Sequence, residues 1–201
     1  MKKILPFLII GLLVLLSIEA VAIQEENNTN HKPLQDPEIF DDVGDTPLSL
    51  LDIEAAWFYE QVNEPDYLFT AMKIHMIKEN YNAVFSIRWS YDGKDYAAGV
   101  NTFYLRDTIF RSGLPKRATY WQWNRMPICE GILDIEERVI TWKIPKSSIG
   151  DPQPGDMLTN TKANAVPGFP LSFLYFVMQL DYRDFAPDNV GEYGHNYFVQ
   201  F

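Results

Sequence analysis

From Thr46 to Phe201 the sequence is written in short runs of β-branched and aromatic residues with a repeat of two. That repeat restricts the chain to folds built from half-buried strands. Leu51, Ile53, Ala55 and Trp57 alternate in the first run. In the next, Leu68, Thr70, Met72, Ile74 and Met76 alternate against Phe69, Ala71, Lys73 and His75. Val84–Trp89 and Tyr96–Tyr104 flank Tyr91-Asp92-Gly93-Lys94, where the Asp-Gly pair is a strong signal for a tight hairpin. Ile132–Ile135 and Val139–Ile144 flank Glu136-Glu137-Arg138, a second hairpin. Leu171–Leu180 is apolar on both faces, as a central strand would be, and Tyr197–Phe201 closes the chain. Pro145–Ile149 fits one short helical turn, and no longer amphipathic helix is apparent. Roughly nine strands over about 155 residues predict an all-β fold, a single antiparallel β-sandwich of immunoglobulin-like or jelly-roll-like kind. An outer-membrane barrel is the rival, but its strands alternate over about 9 to 11 residues and these runs are shorter.

Upstream, Lys2-Lys3, the apolar run Ile4–Ile18 and the small residues Ala20-Val21-Ala22 have the form of a secretory signal peptide, residues 1–22. A retained anchor is the alternative; the run has about 15 residues, whereas spanning a bilayer takes roughly 20. Either reading places the domain outside the cytoplasm, away from ATP, reduced nicotinamide and a reducing thiol pool. Membrane contact is expected only if the leader is kept. Residues 23–45 read as an acidic, Asn- and Pro-rich linker, and Asn27-Asn28-Thr29 fits the N-glycosylation acceptor pattern at Asn27. Residues 46–201 form the domain.

The formal charge is −10, and one unit more negative once the leader's two lysines and one glutamate are gone. Such a surface repels nucleic acid and anionic headgroups and suits neutral ligands or cations. Cys129 is the single cysteine, so the fold must hold by its core without an internal disulfide. A catalytic thiol would need a histidine beside it. His31, His75 and His195 all lie far from Cys129 in sequence.

Three segments together carry a resemblance. Asp41-Asp42-Val43-Gly44-Asp45 precedes Leu51-Asp52-Ile53. Val139-Ile-Thr-Trp-Lys-Ile-Pro-Lys-Ser-Ser-Ile-Gly150 leads to Pro154-Gly155-Asp156. Arg183-Asp-Phe-Ala-Pro-Asp188 precedes the end of the chain. In this order they resemble the extracytoplasmic β-sandwiches of the family-9 carbohydrate-binding module and DOMON-like group, over most of residues 40–201. The stretch Arg106–Glu130 shares nothing with it. The resemblance implies a structural calcium ion, and the residues independently allow one. Asp41, Asp42 and Asp45 lie just before the first strand, Asp184 and Asp188 just before the last. In many sandwiches those strands are neighbours. Calcium takes six to eight hard oxygens, and crowded carboxylates are relieved by a cation. Solvated, separate acidic loops are the plainer alternative.

Thr119-Tyr120-Trp121-Gln122-Trp123-Asn124-Arg125 supplies a second candidate site. On a strand Trp121 and Trp123 share a face, where indoles can stack on sugar rings while Gln122, Asn124 and Arg125 reach hydroxyls. Core packing of the same indoles is the alternative. Trp57, Trp89 and Trp142 lie in strongly apolar runs and read as core. Enzyme signatures are absent: there is no HExxH, GxSxG, Gly-rich phosphate loop or CxxC. Glu136-Glu137 reads as a solvated turn, since adjacent strand residues point to opposite faces. Haem held by His75 or His195 with Met72, Met76, Met126 or Met178 is conceivable in a DOMON-type relative, but no spacing selects a pair. The expectation is an exported, non-catalytic module that binds carbohydrate or a similar envelope ligand. The alternative is a structural or protein-interaction module of the cell envelope.

Overall fold

The computed structural model describes residues 37–78, 81–102, 108–115, 126–168, 183–188 and 192–201, all within one compact unit, Pro33–Phe201. Among them run eleven strands: β1 (Ile39–Phe40), β2 (Ile53–Tyr59), β3 (Tyr67–Ile74), β4 (Ala83–Tyr91), β5 (Lys94–Thr102), β6 (Ile109–Gly113), β7 (Glu130–Asp134), β8 (Val139–Pro145), β9 (Met157–Pro167), β10 (Asp184–Ala186) and β11 (Tyr197–Phe198). They form two antiparallel sheets. One has the order β1-β2-β3-β8-β7; the other is β10-β9-β4-β5-β6, with β11 on the Met157–Leu158 end of β9. The chain is an all-β sandwich, and its sheets do not close into a barrel. The leader, Asn27 and Leu171–Leu180 lie outside the described residues.

The predicted hairpins form for the reason the sequence suggests. Asp92 and Gly93 both take positive φ, 48° and 69°, the geometry of a type I′ turn that matches strand twist, and Tyr91 pairs with Lys94. Between β7 and β8 the Glu137 N–H donates to Asp134 Oδ1 at 2.9 Å, Arg138 takes φ 58°, and Glu136 and Glu137 are exposed. The short turn after Ile144 is a 3-10 turn, Lys146–Ile149.

Three elements differ from the sequence reading. In the first run the alternation breaks, because the β2–β3 register shifts between Ile53 and Ala55. Ile53, Ala56 and Phe58 join the main core, whereas Ala55, Trp57 and Tyr59 form a second apolar cluster with Phe69, Ala71 and Val139. Strand β9 has no apolar run to announce it: it buries Leu158, Thr161, Ala163 and Ala165, small or polar side chains except for one. Ordered structure also begins upstream of Thr46, since Ile39 of β1 is fully buried and pairs with Ala56. Two residues are too few to show a repeat.

Between the sheets Phe58 meets Trp89 edge-on at 5.5 Å and Tyr197 at 5.6 Å, while Phe110 meets Trp142 edge-on at 6.1 Å. Trp89 and Trp142 are core, as expected. At one end of β2 a buried ion pair links the ends of β2 and β8, two strands of the same sheet. Glu60 Oε1 lies 2.6 Å from Lys146 Nζ, and the Glu60 side chain is fully buried. Glu60 Oε2 accepts the Gln200 N–H at 2.6 Å and the Tyr197 hydroxyl at 3.1 Å; Lys146 Nζ donates to the Phe201 carbonyl. Burial and the Glu60 charge push the Tyr197 phenol up, which keeps it a donor. Removing one partner of such a pair leaves an uncompensated charge. We expect Glu60→Ala to destabilise the protein by about 3–5 kcal/mol, seen in urea unfolding as a lower midpoint. A loss below about 1 kcal/mol would put the pair in the class of surface ion pairs.

Candidate metal centre

At the other end of β2 the chain collects carboxylates. Strand β1 hands over to the loop Asp41-Asp42-Val43-Gly44-Asp45, tied to β2 by the Asp41 N–H on the Glu54 carbonyl at 3.3 Å. Gly44 sits at φ +92°, a conformation that a side chain would strain, and this lets the loop fold back on itself. Across the sandwich, Asp184 opens β10, the edge strand on β9. Its Oδ2 accepts the Ile53 N–H at 2.6 Å, where the register shift interrupts the β2–β3 ladder, and its Oδ1 accepts the Phe185 N–H at 3.1 Å. Asp188 follows two residues after β10.

The result is a single group. Asp41, Asp45, Asp184 and Asp188 each bring one carboxylate oxygen to within 4.8 Å of the others, with Asp184 buried, Asp41 half-buried, and Asp45 and Asp188 exposed. Of the five aspartates picked out from the sequence, these four come together. Asp42 does not: it is exposed and stands outside the group. Trp121, Gln122, Trp123, Asn124 and Arg125 lie outside the described residues, as does Asn27.

The electrostatics follow from crowding. Burial, then the charges of Asp184, Asp188 and Asp45, push the Asp41 carboxyl up to about 9. Both Asp41 oxygens are buried with no donor among the described residues. Asp188 lies beside it, and two carboxyls bond to one another only when one holds a proton. Burial and the charges of Asp45 and Asp52 raise Asp184 to about 7 against the two N–H groups that favour its ionised form. Burial and the contact with Asp188 raise Asp45 to about 6. Four carboxylate acceptors converge with no lysine or arginine bonded to them among the described residues, and that arrangement can hold a metal ion.

Sequence reasoning missed Asp52. It is 1% exposed, its Oδ2 accepts the Gly44 N–H at 3.0 Å, and its Oδ1 is buried without a donor among the described residues. The signal was a carboxylate written between Leu51 and Ile53, both fully buried. The buried Thr46 hydroxyl is likewise unpartnered there. Other candidates are placed without chemistry. Cys129 is half-buried, and burial raises its thiol to about 11, away from nucleophilic use. His75 Nδ1 lies 3.2 Å from Glu54 Oε1. Comparison with protein-family models, with curated proteins and with solved structures finds no match.

The raised carboxyls predict a pH dependence. Each ionises near its ordinary pKa of about 4 when unfolded, so the folded state binds more protons up to the raised value. Stability is therefore lost as pH rises through that value. In metal-free protein the melting temperature should fall between about pH 6 and about pH 9, the span of Asp45 to Asp41. Asp41→Asn, which cannot ionise, should flatten the slope. A midpoint that rises with pH across this span contradicts the crowding.

Proposed function

We propose that this chain is an exported, non-catalytic β-sandwich binding module whose two ends are tied by a structural calcium ion. The observation that carries the reading is the convergence of Asp41, Asp45, Asp184 and Asp188 from the two sheet edges, with ligand oxygens within 4.8 Å. Oxygens around one calcium ion lie about 2.3–2.6 Å from it, hence up to roughly 5 Å apart. Magnesium at about 2.0–2.1 Å draws them closer and dehydrates reluctantly. Four carboxylates, with carbonyls of the folded-back loop and water, make up the six to eight oxygens calcium takes. Asp42 has no part in this set.

The ligand we propose is carbohydrate or a similar neutral envelope component. This rests on the residue set Trp121, Gln122, Trp123, Asn124 and Arg125 and on the family resemblance. The acidic charge suits a neutral ligand. A non-catalytic role is supported by the placement of the candidate acids and nucleophiles. Glu136 and Glu137 stand exposed at a hairpin turn, and the Cys129 thiol is raised.

Calcium binding to the folded state alone adds stability of RT ln(1 + [L]/Kd), about 2.7 kcal/mol at a hundredfold excess over Kd. That corresponds to a rise in Tm of several degrees, with magnesium giving less. Asp45→Asn and Asp188→Asn should shrink the calcium-induced rise and, by relieving the crowding, raise the metal-free melt at neutral pH. A melt that ignores both millimolar calcium and chelator removes the calcium reading. For the ligand, a glycan panel should give binding that is lost in the Trp121→Ala/Trp123→Ala double variant while the calcium shift persists. A wild-type protein that binds no glycan leaves the structural or protein-interaction role in its place.

A further inference from the structure

Asp52 is poorly accounted for by folding alone. To hold the loop it needs only an acceptor for the Gly44 N–H, which an asparagine oxygen would provide without charge. The chain instead buries a carboxylate at 1% exposure with one oxygen lacking any donor among the described residues. An unsatisfied buried charge of this kind is costly. Its neighbours deepen the cost: Asp45 and Glu54 both raise its carboxyl, and Asp52 in turn raises Asp184. His75 acts the other way, but it lies against Glu54, as does Arg138 at 3.8 Å. A cation among the aspartates would turn that cost into a favourable interaction.

We propose that Asp52 is a positioning residue of the metal centre that also sets its preference among cations by charge. One oxygen holds the Asp41–Asp45 loop through Gly44, and the carboxylate's negative charge strengthens the field at the ion without joining the four converging oxygens. This rests on the reading of the four-aspartate group as a metal site. The two contributions separate by physics. A fixed negative charge attracts a cation in proportion to that cation's charge. A displaced loop weakens hard cations of similar size by a similar factor.

The experiment measures calcium and terbium(III) affinities of the full-length protein, prepared metal-free, by calorimetry and terbium luminescence. Asp52→Asn keeps an acceptor for Gly44 and removes the charge. Calcium affinity should fall about tenfold, and terbium affinity about thirtyfold, since the effect scales with ionic charge. Asp52→Glu keeps the charge and moves the acceptor, so both affinities should fall by one common factor. Asp52→Asn binding both ions as wild type does, or losing both equally, overturns the proposal. If Asp52→Asn does not fold, Asp52→Ser, which also removes the charge, decides: a ratio shifted toward calcium supports the charge role, and an unchanged terbium-to-calcium ratio overturns it. Wild-type protein that binds neither ion overturns the metal reading itself, a result distinct from wild type that binds and a variant that does not differ.

Discussion

Strand β2 needs more backbone acceptors than its neighbours supply, and buried carboxylates make up the shortfall. Its partner on one side, β1, pairs over only two residues. Where that pairing ends, Glu38 Oε2 accepts the Phe58 N–H at 2.8 Å. Where the ladder to β3 is interrupted, Asp184 takes the Ile53 N–H. Beyond the strand, Glu60 accepts from Gln200 and Phe201. A buried N–H without an acceptor costs about as much as a lost hydrogen bond. A charged acceptor makes the stronger bond. Acids along this one strand therefore tie it to its neighbours and to the end of the chain around Asp184 and Gln200.

The four-aspartate group grows out of the same arrangement. Asp184 is fixed by its duty to Ile53, and the loop that leaves β1 brings Asp41 and Asp45 up to it. At the far end of β2 the single buried acid, Glu60, has its counter-charge within the protein, because Lys146 lies beside it. At the near end no lysine or arginine is bonded to the four aspartates among the described residues, and their crowding raises the carboxyls instead. The two ends of one strand thus hold their acids in different company: one carboxylate beside a lysine at the far end, four carboxylates together at the near end.

Much of the architecture was legible because it is written in alternation and turn chemistry. Asp92-Gly93 specifies its own turn, and β3, β4, β5 and β8 alternate clearly. What alternation cannot show is a strand whose buried side is small or polar, as in β9 with Thr161, Ala163 and Ala165. Nor can it show a strand of two residues or a register shift within β2. The centre was legible as acidic clusters at the two ends of the text, since crowding of like charge asks for a cation wherever it occurs. Which aspartates converge is a matter of backbone geometry. Asp42 and Asp45 differ by three positions and a glycine at positive φ, and only Asp45 reaches the other aspartates. Asp52 was hidden because an acid inside an apolar run reads as an interruption of a strand.

The partners that complete β2 also carry a consequence for the order of events during synthesis. Ile53 waits on an acceptor 131 residues further along the chain, and the bond between Glu60 and Gln200 spans 140. The earliest long strand to emerge is thus among the last to be finished. Loop closure over such separations sets a slow, non-local search. Until residues 184–201 arrive, the nascent chain carries β2 with the Ile53 N–H unmet, the Glu60 carboxylate short of its N–H donors and an apolar flank, a form suited to capture by a holding chaperone.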